Sequence, residues 1–294
     1  MSLLDLDIGV PESVADWIET SLIVCRSGRI ALDRLVGLAN SELNVPEERI
    51  ARALRVMSNR AAILEELYPF EVVEGIAVRR RDSRLANAYA TLLFLTPRSL
   101  PRLLLKGMKS HQMATILEGV AVRALSNFWG PGGDAVSFAY PSEVGRPPEF
   151  DQAVLWLARQ IGIEPGRGYR PPRRKDGGVD VVAWRRFRDR RQGFPIALAQ
   201  CTIQQETFTK TTDIDVRLWS TWLAMDTDPT SMLVLPGTIK RAGPEWSQLS
   251  SVVLVIDRLR LMELLGRVEL PDLQQPWTDA AIEGLSEILA ATEY

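Results

Sequence analysis

The 294-residue sequence predicts an α+β protein in two parts, a mostly helical region over residues 1–134 followed by an α/β sandwich over residues 135–294. Three observations carry this. Up to about residue 129 apolar side chains recur at helical spacing, with one β-rich interruption at 68–81. Glycine and proline then accumulate, as Gly130-Pro131-Gly132-Gly133 and at Pro141, Gly145, Pro147 and Pro148, a composition that opposes regular structure and suits a linker. Beyond it, short apolar strands alternate with amphipathic helices, the order of a covered sheet.

Residues 11–25 open on Pro11-Glu12 and place Val14, Trp17, Ile18 and Leu22 on one face of a helix. Ile30 to Leu43 and Pro46 to Leu67 predict two more. The latter has proline in its first turn, followed by Glu47 and Glu48, acids that a helix N-terminus favours. Tyr68 to Arg81 holds two β-rich runs around Glu74-Gly75 and reads as a hairpin. Three helices and a hairpin follow the order of a winged helix, whose recognition helix would carry Arg49, Arg52, Arg55 and Arg60. A plain helical bundle with one strand pair fits the same pattern. Helices over 84–95 and 110–129 complete the first part.

In the second part, Phe150 to Ile161 forms an amphipathic helix with Phe150, Val154, Leu157, Ala158 and Ile161 inward. Val179 to Trp184 and Phe194 to Cys201 are strands apolar enough to be central. A helix over Thr212 to Ala224 turns Ile214, Leu218, Trp222 and Leu223 inward. Strands at 232–236 and 251–256 and helices at 259–265 and 278–291 end the pattern. Trp184, Trp219 and Trp222 read as core residues.

Composition narrows the chemistry. With 46% hydrophobic residues, 24% charged residues and a net charge of -2, the chain has material for a large core. No apolar run reaches about 18 residues and the first residues lack the features of a signal peptide, so a cytoplasmic protein without membrane association is expected. Cys25, Cys201 and the single His111 exclude zinc fingers, disulfide frameworks and two-histidine sites. Neither a P-loop nor a GxGxxG fingerprint occurs, so no nucleotide cofactor is expected. Positive charge, by contrast, is concentrated. Arg167, Arg170, Arg173, Arg174, Lys175, Arg185, Arg186, Arg188, Arg190 and Arg191 stand against only Asp176, Asp180 and Asp189, the footprint of a phosphate-binding surface or of a solvated turn.

Within this basic stretch, Lys175-Asp176-Gly177-Gly178-Val179-Asp180-Val181-Val182-Ala183-Trp184, a basic turn and Ala197-Leu198-Ala199-Gln200-Cys201 resemble the core of the PD-(D/E)XK, or restriction-endonuclease-like, nucleases over residues 149–236. The resemblance implies a restriction-endonuclease-like sandwich in which an aspartate on one strand and a (D/E/Q)-x-K on the next hold a divalent metal. It casts Asp180, Gln200 and the Cys201 backbone carbonyl as ligands of Mg²⁺ or Mn²⁺, with Asp151 as the acid contributed by the preceding helix. Such a hard cation suits oxygen ligands and polarises a phosphoryl oxygen toward hydrolysis. The lysine position holds Thr202, so the resemblance points to Lys210 as a migrated lysine, with Gln204 on the strand face of Gln200 holding water. Arg173, Arg174, Lys175, Arg185, Arg186, Arg188, Arg190 and Arg191 are the expected nucleic-acid contacts.

The function this implies is metal-dependent hydrolysis of phosphodiester bonds, with DNA as the expected substrate and restriction, repair or anti-phage defence as the setting. Thr202 supports an alternative: a catalytically inactive nuclease-fold subunit that binds nucleic acid or a partner protein. A winged-helix regulator with a ligand-sensing second part is a third. A protein partner or homo-oligomer is compatible with each.

Overall fold

A computed structural model describes residues 9–25, 27–42, 45–80, 83–97, 109–142, 144–168, 172, 175–204, 207–240, 243–266 and 283. It is a mixed α+β protein with two sheets. Backbone contacts divide the described residues into two compact units. One comprises those up to Ile116 with Pro236–Lys240 and those from Arg258 onward; the other comprises Leu117–Leu235 and Arg241–Asp257.

The first unit runs α1 (Pro11–Val24), β1 (Arg29–Ala31), α2 (Leu32–Glu42), α3 (Glu47–Leu64), β2 (Phe70–Val73), β3 (Ile76–Arg79), α4 (Ser83–Leu95) and the start of α5 (Ser110–Leu125). Its sheet has the order β1-β3-β2, antiparallel throughout. The helix expected from Ile30 therefore begins two residues later, because Arg29, Ile30 and Ala31 pair with Val78, Ala77 and Ile76. The apolar positions of α3 that face inward are Ile50, Ala53, Leu54, Met57 and Leu64. Arg60 joins them, a correction to its expected place on a nucleic-acid-facing surface. Its Nη1 donates to Asp16 Oδ1 (2.8 Å) and Glu19 Oε1 (2.6 Å), and Nη2 donates to Thr238 Oγ1 (2.5 Å).

A second buried arginine completes this network. Arg258 opens α9 (Arg258–Leu265), and its guanidinium donates to both carboxyl oxygens of Asp16 (3.0 and 2.9 Å) and to Glu19 Oε2 (3.3 Å). Tyr68 and Tyr89 donate their hydroxyls to Glu19. Burial alone would raise the Asp16 carboxyl, yet Arg258 and Arg60 hold it below the usual carboxylate range. Each buried charge thus has an opposite partner and hydrogen bonds, the condition under which ionic burial is tolerated.

The second unit carries a five-stranded sheet in sequential order, β4 (Gly133–Ser137), β5 (Val181–Arg185), β6 (Ile196–Cys201), β7 (Thr230–Val234) and β8 (Leu254–Ile256). The pairs β4–β5 and β5–β6 are antiparallel, and β6–β7 and β7–β8 are parallel. The glycine-rich break expected near residue 135 thus supplies an edge strand of this sheet, Gly133 pairing with Arg185, and the division between the units falls inside α5. One sheet face, including Val182, Trp184, Ile196 and Leu198, packs with α6 (Phe150–Ile161) and α7 (Val216–Trp222). Phe138, Phe150, Trp219 and Trp222 meet there edge to face, with ring centroids 4.6 to 6.3 Å apart, so the three tryptophans expected in the core lie in it. Between β7 and β8 lies α8 (Pro244–Ser250). The terminal helix expected at 278–291 lies outside the described residues except for position 283.

Candidate active site

Asp180 precedes β5 and Gln200 stands near the end of β6. The β5–β6 pairing ends with Val181 opposite Ala199, and the Asp180 N–H also donates to the Ala199 carbonyl (2.9 Å), which holds Asp180 at the end of β6 near Gln200 and Cys201. By strand alternation Gln200 lies on the face of Leu198 and Ile196, while the Asp180 carboxyl meets the Cys201 amide at the end of the sheet.

Local sequence explains how Asp180 arrives there. Asp176 Oδ1 accepts the Gly178 N–H (2.8 Å), closing a tight turn in which Gly177 and Gly178 adopt φ of 64° and 80°. Both values favour glycine. A Cβ on Gly178 would also lie 2.3 Å from the Asp213 carbonyl oxygen, so glycine lets this turn close against the segment leading into α7. Arg146, buried with its guanidinium 4.4 Å from the Phe138 ring centroid, donates to the Lys175 carbonyl (2.5 Å) and pins the start of the turn.

The Cys201 N–H donates to Asp180 Oδ2 (2.8 Å). Burial nevertheless dominates and pushes the Asp180 carboxyl up to about 8; the charges of Glu118 and Asp176 add to the rise, and Lys210 opposes it. Gln200 is 5% exposed. Its Nε2 donates to Asp213 Oδ2 (2.8 Å), while its Oε1 is buried with no hydrogen-bond partner among the described residues. A buried carbonyl without a donor is costly and marks a place for an electropositive group. Lys210 ends a short 3-10 turn (Phe208–Lys210), and its Nζ lies 3.6 Å from Asp213 Oδ2.

Several expected participants stand elsewhere. The strand ends at Cys201, so Gln204 is an exposed loop residue whose N–H donates to Thr202 Oγ1 (3.1 Å) and does not share a strand face with Gln200. Thr202 is buried and donates its N–H to the Val234 carbonyl. Asp151 is exposed in the first turn of α6; the acids whose charge most raises Asp180 are Glu118, on α5, and Asp176. At Cys201 it is the amide N–H, not the carbonyl, that meets Asp180, and burial pushes its thiol well up, in keeping with a packing role.

The basic run is divided by the sheet. Lys175 lies at the Asp180 end, its Nζ 4.5 Å from the Tyr140 ring centroid. Arg186 to Arg191 lie in the β5–β6 turn at the opposite end, about 20 Å away at the usual rise per strand residue. Arg185 donates to the Trp129 carbonyl (2.9 Å), and Arg186 lies against Gly162 at the C-terminal end of α6, so both are tied to the fold. Arg188, Arg190 and Arg191 are exposed at the tip. Arg173 and Arg174 lie outside the described residues. An open cleft of about 1020 Å³, lined among others by Glu164, Arg167, Asp215 and Thr221, has none of the predicted site residues among the described residues that line it.

Among the described residues no three histidine, cysteine or carboxylate side chains are gathered closely enough to form a metal cluster by themselves. The donors present are of another kind: one carboxylate and one buried amide oxygen, with further carboxylates in electrostatic range. That set fits a cation such as Mg²⁺, which is held by one or two protein carboxylates and completes its shell with water and substrate phosphate oxygens. No model of a known protein family, no curated protein and no solved structure matches the chain.

Proposed function

We propose that this protein is a metal-dependent nuclease acting on DNA. The observation that carries the reading is the half-buried Asp180 carboxyl at the same end of the sheet as the Gln200 oxygen, which has no hydrogen-bond partner among the described residues, with Lys210 in electrostatic range of Asp180. The sequential order β4-β5-β6-β7-β8, an antiparallel trio continued by parallel strands, supports a restriction-endonuclease-like sandwich. In the first unit the order α1-β1-α2-α3-β2-β3 supports a winged helix. Its α3 offers Arg52 and Arg55 as exposed cations, while Arg60 belongs to the core and Arg52 pairs with Glu48. We further infer a cytoplasmic protein of restriction, repair or anti-phage defence.

Asp180 and Gln200 Oε1 would hold Mg²⁺ or Mn²⁺, with the expected Cys201 carbonyl not among the donors the site shows. When bound, the cation supplies the charge that polarises the phosphoryl oxygen and the attacking water. The chain's own part is to present Asp180 as a carboxylate, which means releasing its proton, and to aim the Gln200 oxygen. It also places a fixed positive charge at Lys210, since Thr202 offers none. Digestion of duplex DNA with Mg²⁺, Mn²⁺ or EDTA tests the reading; binding without cutting under any divalent metal would leave the inactive nuclease-fold subunit. Lys210→Ala is expected to slow cleavage about a hundredfold, the scale of losing one positioned electrostatic group, with little loss of DNA affinity. A wild-type rate would make Lys210 only the ion-pair partner of Asp213.

The turn at the far end of β5 and β6 gives a separate expectation. Replacing Arg188, Arg190 and Arg191 by glutamine should lower the slope of log affinity against log salt for duplex DNA by roughly 0.9 per lost phosphate contact. An unchanged slope would identify a solvated turn.

A further inference from the structure

We infer that Asp213 is a positioning residue, which fixes the orientation of the Gln200 amide so that its oxygen, and not its nitrogen, is left available to a cation. This deepens the cation-site reading above and rests on it.

The argument is one of donors and acceptors. An amide side chain has two ends of nearly equal shape and opposite polarity, and nothing in β6 dictates which end faces the strand opposite. A carboxylate has only acceptors to offer. Asp213 Oδ2, 2.8 Å from the Gln200 nitrogen, therefore accepts that end and turns the carbonyl away from itself. The outcome is visible in the buried Gln200 Oε1, left without a donor among the described residues. Were the amide reversed, two oxygens would face each other at Asp213 and an N–H₂ would stand where the oxygen now stands.

The fold holds Asp213 firmly for this task. Its N–H donates to the Lys210 carbonyl (3.2 Å), its carboxylate lies 3.6 Å from Lys210 Nζ, and its backbone meets the glycine turn at Gly178. The segment that brings the lysine to the site thus also sets the polarity of the glutamine. A single carboxylate serves both, and its negative charge offsets the ammonium that would otherwise repel a cation.

The test uses the full chain and Mn²⁺ alone, with binding read from the electron paramagnetic resonance signal of free Mn²⁺ and folding from Tm. Asp213→Asn keeps the shape but offers donor and acceptor alike, and is expected to weaken Mn²⁺ binding at least about tenfold, the usual effect of losing a group that orients a ligand. Gln200→Glu sets two carboxylates against each other and is expected to lower the metal-free Tm. Combining it with Asp213→Asn restores a donor facing an acceptor, so the double variant should recover both Tm and Mn²⁺ binding. A merely structural Asp213 would instead lower Tm in both backgrounds, which would overturn the inference. Wild-type binding with an unchanged affinity in Asp213→Asn would overturn it too, leaving the cation site intact. If the wild type binds no Mn²⁺ at millimolar concentration, the cation site itself falls and the inference with it.

Discussion

Replacing Asp180 by asparagine is expected to abolish metal-dependent DNA cleavage, by about a thousandfold or more, and at the same time to raise the Tm of the metal-free protein at pH 8 by at least about 5 °C. The two effects share one cause. Burial moves the carboxyl from its ordinary 3.8 to about 8, so between these values the folded chain holds a proton that the unfolded chain has released. Stability then falls as pH rises through this window, because the unfolded state binds fewer protons. Asparagine does not ionise there, and its side-chain oxygen can still accept the Cys201 N–H. Wild-type Tm should therefore decline from pH 4 to pH 8 more steeply than that of Asp180→Asn. Saturating Mn²⁺ should remove most of the difference by compensating the carboxylate. Thermal melts of both proteins across this range, with Mn²⁺ and with EDTA, check the expectation. A lower Tm in the metal-free variant would instead assign Asp180 a structural partner.

Elements with strong local signals were legible in the sequence. The Phe150–Ile161 helix has the predicted bounds, and the strands of the Glu74-Gly75 hairpin fall where the β-rich runs lie, because amphipathic period and turn chemistry are written locally. β1 was not legible: it is three residues long, and its partner strand lies some 45 residues away. β4 was hidden by its composition, since Gly133 marks a strand start where glycine and proline suggest a linker. In the site, Asp180, Gln200 and Lys210 could be named only through the nuclease resemblance, and the structure holds Asp180 and Gln200 at the same end of the sheet. Glu118 could not be, because an acid on an amphipathic helix has the pattern of any solvated face and its electrostatic partner is 62 positions away. Asp213 was obscured differently. The helix read from Thr212 begins only at Val216, capped by the Asp215 carboxylate, which leaves Asp213 in a loop able to reach Gln200.

Arg60 was misplaced for the reason that makes the last expectation large: a pattern reading puts arginine outside, and only the folded chain reveals two acids waiting for it. Arg258→Ala is expected to lower Tm by roughly 10 °C, corresponding to about 3–5 kcal/mol, the usual consequence of breaking a buried ion pair from one side. In the wild type Asp16 and Glu19 face Arg60 and Arg258, two charges against two. Without Arg258 one buried carboxylate loses its partner, and Asp16 also loses two hydrogen bonds. Burial, the largest influence on Asp16, would then go less opposed and its folded-state pKa would rise. Protonation can relieve the unpaired charge at low pH. The stability gap between wild type and Arg258→Ala should consequently widen as pH rises from 5 to 8. Asp16→Asn combined with Arg258→Met removes one charge of each sign and should recover much of the loss, since a buried pair exchanged for neutral groups of similar volume is often tolerated. Urea titrations of the three proteins at both pH values measure this coupling. A gap independent of pH, with losses that simply add in the double variant, would show that Arg258 acts by packing rather than by charge.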